Sequence, residues 1–243
     1  MAGLPHRASL VSGFCSSVPI LASGFLSTPD RSDAVASGSR FPSPGPAKDL
    51  HLQHQRHAWH TKGGSIIVDD RLRTSVTGIY AAGDVTGRDQ FVYMAAYGAK
   101  LAAKNALNSD SLVYNNSAMP EVVFTDPQVA TVGLTEAQAT ASGHHVATSL
   151  ISLDNVPRAL AARDTRGLIK LVADANTRKI LGAHILAPEG ADSIQTAVMA
   201  IKFGMTVEDL GATIFPYLTT VEGLKLAAQT FNKDVKKLSC CAG

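Results

Sequence analysis

Apolar and polar positions follow two different regimes along this chain, and the change falls near residue 62. Over residues 1–61 no helical or strand period is sustained. Ser, Pro and Gly clusters such as P-S-P-G-P-A at 42–47 interrupt every apolar run. Such a stretch buries too little apolar surface to offset chain entropy and is expected to be disordered. From residue 63 the pattern becomes regular. G-G-S-I-I-V-D-D (63–70) reads as a strand closed by an Asp69-Asp70 turn. A short apolar run at 78–82 stops at Gly83 and Asp84. Residues 91–107 predict an Ala-rich helix whose small face, Ala95, Ala99, Ala102, Ala103 and Ala106, permits close packing.

A polar linker, 108–119, leads to P-E-V-V-F-T-D-P-Q-V-A-T-V-G (120–133), two strand-like runs around a Thr125-Asp126-Pro127 turn. Thr135 is placed to cap a helix over 135–141. Alternating runs at 167–173 and 179–187 flank the polar turn D-A-N-T-R, which is a hairpin signature. Pro188 opens a helix with Ile194, Ala197, Val198 and Ile201 on its apolar stripe, and Thr206 caps a shorter one. The pattern predicts an α+β domain over 118–232, a hairpin-built antiparallel sheet with helices packed against it. The last part of an α/β domain precedes it at 62–112, and a flexible tail follows at 233–243.

Composition narrows the function classes. The 243 residues carry a net charge of +2 with both signs interspersed, which gives no nucleic-acid footprint. No apolar run reaches the roughly 18 residues of a membrane helix; the best, 18–26, is broken by Pro19 and Gly24. Arg7 precedes a weakly apolar run that polar residues interrupt too often for a signal peptide. Three cysteines cannot build a disulfide framework. Adjacent Cys240 and Cys241 make a poor disulfide, and free thiols fit a reducing cytosol, so a cytoplasmic protein is expected. His51, His54, His57 and His60 recur every third residue, a spacing that can share a helix face. No carboxylate or thiolate lies among them, and the tract reads as a solvated stretch rather than a metal site.

Three places carry candidate chemistry. In T-S-V-T-G-I-Y-A-A-G-D (74–84), tiny Ala82 and Gly83 let a flat ligand approach the backbone. Asp84 can accept from ligand hydroxyls at the carboxyl end of a strand. The helix that begins near Val92 turns its free N–H groups towards that loop, favouring electron-rich ligand atoms. A strand ending in an ordinary Gly-Asp turn reads equally well from these residues alone. Glu222 closes Thr219-x-x-Glu222, a capping box for a helix through Leu224 and Leu226. The vicinal thiols of Cys240 and Cys241 suit a soft cation, with Lys233, Lys236 and Lys237 near enough to favour thiolates.

Together the 74–84 motif with its following helix, V-V-F-T-D-P-Q-V-A-T-V-G-L-T-E, and F-P-Y-L-T-T-V-E-G-L-K-L-A-A-Q-T-F before S-C-C-A-G carry a family likeness. They resemble the flavin-dependent pyridine-nucleotide–disulfide oxidoreductases, and in their last part the mercury(II)-reducing branch, over residues 63–243. The resemblance implies that 62–112 ends an FAD-binding domain. Asp84 would bond the ribityl and ribose side of FAD, Ala82 and Gly83 would allow close backbone approach, and Val92 would lie near the pyrimidine edge of the flavin. It implies NADPH as electron donor, Hg(II) as substrate delivered by Cys240 and Cys241, and a homodimer through 118–232. That dimer would place one subunit's Tyr217 and tail at the other's flavin.

Two departures matter. In the dithiol-oxidising branches a His opens the six-residue span that a Glu closes, as an acid–base pair; here Tyr217 stands in the His position and Glu222 keeps its place. A phenol near pKa 10 is a poor base at neutral pH beside an imidazole near 6.5. Metal-ion reduction needs no base for an incoming dithiol, so Tyr217 fits a metal substrate. Also, neither G-x-G-x-x-G nor C-x-x-x-x-C occurs in the chain. The expectation is a truncated reading frame whose product is inactive alone. The rival readings are a catalytically inactive dimerisation and thiol metal-binding module, or a dihydrolipoamide dehydrogenase-like fragment. Tyr217 and the cysteine pair argue against the second.

Overall fold

The computed structural model describes residues 9–12, 60–108 and 110–235. The expectations at Cys240, Cys241, His51, His54, His57, Lys236 and Lys237 therefore lie outside the described residues. The chain divides into two compact units, one ending at Tyr114 and the other beginning at Asn115.

In the first unit β1 (Ser9–Ser12) pairs in parallel with β4 (Ile79–Ala82), Leu10 opposite Tyr80. It lies inside the segment whose sequence shows no strand period. β2 (Thr61–Lys62) and β3 (Ser65–Ile66) form a minimal hairpin. Its turn is Gly63-Gly64, both at positive φ (59° and 86°), the conformation that a two-residue hairpin demands. The strand expected across 63–70 shrinks accordingly. Its first two residues are the turn, and the Asp69 carboxylate bends its far end by accepting the backbone N–H groups of Arg71 and Arg73.

Helix α1 (Val92–Leu107) begins one residue later than the pattern suggests, because Phe91 is extended. It lies close on β4. A Cβ at Gly98 would stand 3.2 Å from the Ala82 Cβ, so a larger residue there would push helix and strand apart. Leu72, Tyr80, Ala82, Leu101 and Ala102 form the small core. Buried Asn105 donates to the carbonyls of Arg71 and Leu112 and accepts the Leu112 N–H, pinning the polar linker to the 69–73 turn.

The second unit is built on a five-stranded antiparallel sheet in the order β5-β6-β9-β8-β7. The strands are β5 (Pro120–Val123), β6 (Gln128–Gly133), β7 (Val146–Ser152), β8 (Leu168–Asp174) and β9 (Ile180–Ala187). Register makes the period-2 logic explicit. Val122, Ala130, Ile185, Ile169 and Ile151 line up across the sheet on its core face. The next row, Glu121, Thr131, His184 and Lys170, carries polar side chains and ends on the exposed edge residue Leu150.

Among the described residues five helices accompany the sheet: α2 (Glu136–Ala141), α3 (Pro157–Ala162), α4 (Gly190–Lys202), α5 (Val207–Ala212) and α6 (Glu222–Gln229). Thr135 and Thr206 each close a full capping box, with Gln138 and Asp209. α4 starts two residues beyond Pro188, with Glu189 as its N-cap, and buries Ile194, Ala197 and Val198. α6 sits close on the sheet, since a Cβ at Gly223 would stand 2.5 Å from Ile169 Cδ1. The Ser149 hydroxyl donates to the Ala227 carbonyl and ties α6 to β7. No described helix is long and apolar enough to cross a membrane.

Candidate functional site

In the first unit, β4 delivers buried Ala81 and Ala82 to a sharp bend at Gly83 (φ 80°, ψ −160°), a backbone region reserved for glycine. A single 3-10 turn, Asp84–Thr86, follows. The Thr86 hydroxyl donates to the Gly83 carbonyl at 2.8 Å, and the Gly87 N–H to the Asp84 carbonyl at 2.9 Å. The bend is thus locked by its own backbone, which leaves the Asp84 side chain uncommitted. Its Oδ1 is buried and has no hydrogen-bond partner among the described residues, and it is the only such buried side-chain atom found among them. A buried acceptor without a donor is uncommon in a folded chain and singles Asp84 out within this unit. α1 opens nearby in sequence with no side-chain cap, and Val92 at its first position is 48% exposed.

The same unit holds a polar frame that the sequence pattern did not reveal. The Tyr114 hydroxyl donates to Asp89 at 2.9 Å, and the Arg88 guanidinium lies 5.8 Å from the centre of the Tyr114 ring. The Tyr80 hydroxyl donates to Asp110 at 2.6 Å. Burial first, and then the neighbouring carboxylate, push the Tyr80 phenol up to about 12 and raise that of Tyr114 further. Both therefore stay protonated donors: Tyr114 braces the loop after β4, and Tyr80 holds the linker that follows α1.

In the second unit, Tyr217 is 61% exposed on the loop before α6. Its neighbour Leu218 adopts φ +65°, in the left-handed region. Glu222, 2% exposed, accepts the Leu218 N–H on Oε2 at 3.3 Å. The Thr219 hydroxyl accepts the Glu222 N–H at 3.3 Å and donates to the Pro216 carbonyl at 2.9 Å. The expected capping box is thus half made. Thr219 plays its part, but the Glu222 carboxylate reaches the amide of Leu218 instead of that of Thr219. Thr220 donates to Glu189 Oε2 at 2.8 Å, and Arg158 Nη2 lies 3.3 Å from Glu189 Oε1. The Thr220 hydrogen bond, ahead of Arg158 and against partial burial, holds the Glu189 carboxyl below its usual range. Glu189 and Thr220 escaped the sequence reading because their contact spans 31 positions.

No group of three or more His, Cys, Asp or Glu poised for a metal occurs among the described residues. His60 is exposed and engaged through its backbone with Ser75 and Ile67. Its three companions in the His tract lie outside the described residues.

Comparison with known proteins gives these sites a context. The model for the pyridine nucleotide-disulphide oxidoreductase dimerisation domain matches residues 119–228, and that for pyridine nucleotide-disulphide oxidoreductases matches residues 45–103. The second match reaches further back than the likeness from residue 63 read in the sequence. A mercuric reductase of Bacillus cereus is 56% identical over 180 residues, 74% of this chain and 28% of its own length. One from Shigella flexneri is 56% identical over 75% of this chain and 32% of its own length. One from Streptomyces lividans is 53% identical over 74% and 38%. The chain thus spans roughly a third of the length of the curated relatives it matches. Among solved structures, the Cu(II) complex of the HOCl-induced flavoprotein disulfide reductase RclA from Escherichia coli aligns at TM-score 0.69 with 29% identity, over 76% of this chain and 42% of that one. LpdA from Mycobacterium tuberculosis aligns at 0.68 with 27% identity, over 76% and 40%.

Proposed function

Because the chain belongs to the pyridine nucleotide-disulphide oxidoreductases, we propose that it supplies the flavin-motif and dimerisation portions of a mercury(II) reductase. The observation that carries the substrate is identity of 52–56% with mercuric reductases over about three quarters of the chain. The overall reaction passes two electrons from NADPH to Hg(II), giving NADP⁺, H⁺ and Hg(0). Bound FAD supplies the two-electron relay between them.

The residues of the first unit fit the ribityl and ribose side of FAD. Asp84 Oδ1 offers a buried acceptor with no donor among the described residues, which a ligand hydroxyl would satisfy. Gly83, at a φ that excludes side chains, and Ala82 keep the approach open. Val92 opens α1, whose N-terminal end carries no side-chain cap and suits the electron-rich pyrimidine edge.

On the substrate side, Tyr217 presents a phenol that donates or contacts the metal without serving as a base. Cys240 and Cys241 provide two soft thiolates for Hg(II). The second unit offers its apolar surface, including Phe124 (79% exposed) and Ile214 (94% exposed), to a second copy of the chain, forming a homodimer.

A chimera tests this. Residues 63–243 of this chain replace the matching segment of the Bacillus cereus relative, and Hg(II)-dependent NADPH oxidation is measured. Activity within about tenfold of the parent supports the reading. A folded, flavin-loaded chimera without Hg(II)-dependent turnover rejects it.

A further inference from the structure

The loop that carries Tyr217 is fastened from outside by a carboxylate that no flavin or metal reading calls upon. Thr220, 8% exposed, gives its hydroxyl to Glu189 Oε2 at 2.8 Å. The other oxygen of Glu189 takes the Arg158 guanidinium at 3.3 Å. Glu189 is the N-cap residue of α4 and Arg158 belongs to α3, so one side chain joins two helices to the loop. A buried hydroxyl has no water to fall back on, so its single strong acceptor decides its orientation. Two residues earlier Leu218 holds a left-handed conformation that is unfavourable for leucine, with its N–H on Glu222. The segment 218–220 is therefore gripped at both ends, while Tyr217 beside it is 61% exposed. The grip on its neighbours sets the backbone from which Tyr217 projects.

We propose that Glu189 is a positioning residue: through Thr220 it fixes the 216–220 loop and hence the direction in which Tyr217 presents its phenol. This rests on the reading of Tyr217 as the side chain that meets Hg(II). Glu189 touches neither substrate nor cofactor and acts only through Thr220, with Arg158 keeping its carboxylate charged and in place.

The test uses the full chain labelled with 3-fluorotyrosine, without Hg(II). Five tyrosines give five fluorine resonances, and the one lost in Tyr217→Phe belongs to Tyr217. Thr220→Val removes the donor while keeping the side-chain shape. The Tyr217 resonance then moves towards that of free 3-fluorotyrosine, and exchange of the Leu218 amide rises about tenfold. Exchange in β8 and β9 stays unchanged. Glu189→Gln keeps an acceptor oxygen for Thr220 and leaves the Tyr217 resonance near its original place. An unmoved Tyr217 resonance in Thr220→Val overturns the proposal. So does a Gln variant as disturbed as the Val one, or faster exchange throughout β8 and β9, which would assign the contact to fold stability. Adding Hg(II) afterwards tests the underlying reading separately. A Tyr217 resonance that ignores the metal rejects Tyr217 as its contact and leaves the metal-free positioning result standing.

Discussion

Replacing Asp84 by Ala is expected to move stability and ligand binding in opposite directions. Oδ1 of Asp84 is buried with no donor among the described residues. An unsatisfied buried polar atom costs about 1–3 kcal/mol. Asp84 as a residue is only half-buried, so the lower end, about 1 kcal/mol, is the reasonable magnitude. Asp84→Ala removes that cost from the ligand-free chain, and the turn survives because its bonds run through backbone oxygens and Thr86. The melting midpoint should rise by about 2–4 °C. In the flavin-loaded chimera the same change deletes a hydrogen bond from a ligand hydroxyl to a carboxylate, about 1.5–3 kcal/mol. FAD affinity then falls about 10- to 150-fold. Calorimetric melting of the free chain and FAD titration of the chimera read the two arms. An Asp84→Ala chain that melts lower, or a chimera that holds FAD as tightly as before, refutes the idea that Asp84 is kept unpaired for a ligand.

Other expectations concern packing, pH and the tail. Gly223→Ala drives a Cβ to 2.5 Å from Ile169 Cδ1 and should cost about 1–3 kcal/mol in urea unfolding; adding Ile169→Val, which deletes that methyl, should recover most of it, and additive losses would contradict the contact. Burial first, and then Lys170, depress the His184 imidazole against the opposing pull of its contact with the Leu134 carbonyl. The unfolded chain therefore binds more protons below about pH 6.5. Stability is full above that pH and declines as pH falls from 6.5 towards the depressed folded value, and His184→Gln should flatten that part of the stability–pH curve. Removing both tail thiols, Cys240→Ala with Cys241→Ala, should lower Hg(II) affinity of the full chain by at least about 100-fold by competition with a dithiol chelator; an unchanged affinity removes the tail from the metal's path.

Elements with strong local chemistry were readable before the fold was known. Thr135 and Thr206 announce their helices through side chains that satisfy nearby amides, and the 168–187 hairpin announces itself through alternation about a polar turn. β7 and α3 went unread. In β7 the side chains alternate, but the sheet edge leaves Leu150 53% exposed, blurring the contrast between faces. In α3 only six residues form the helix, too few to show a period. The 63–70 strand failed because Gly-Gly at positive φ and the Asp69 turn consumed its ends, a competition that apolar content does not register. At the candidate sites Asp84 after Gly83 carries an intrinsic signal, whereas Tyr217 stands out only through the family likeness. Glu189 and Tyr114 act through partners 31 and 25 positions away, so only the folded arrangement brings them into view.

The central claim, that this polypeptide carries the mercury-reducing form of the dimerisation half, is met most directly by steady-state assay of the chimera with Hg(II) and with a disulfide substrate, lipoamide, in parallel. NADPH oxidation that depends on Hg(II), falls at least about tenfold in Tyr217→Phe and is absent with the disulfide is the predicted result. NADPH-dependent reduction of the disulfide with indifference to Hg(II) and to Tyr217→Phe contradicts it.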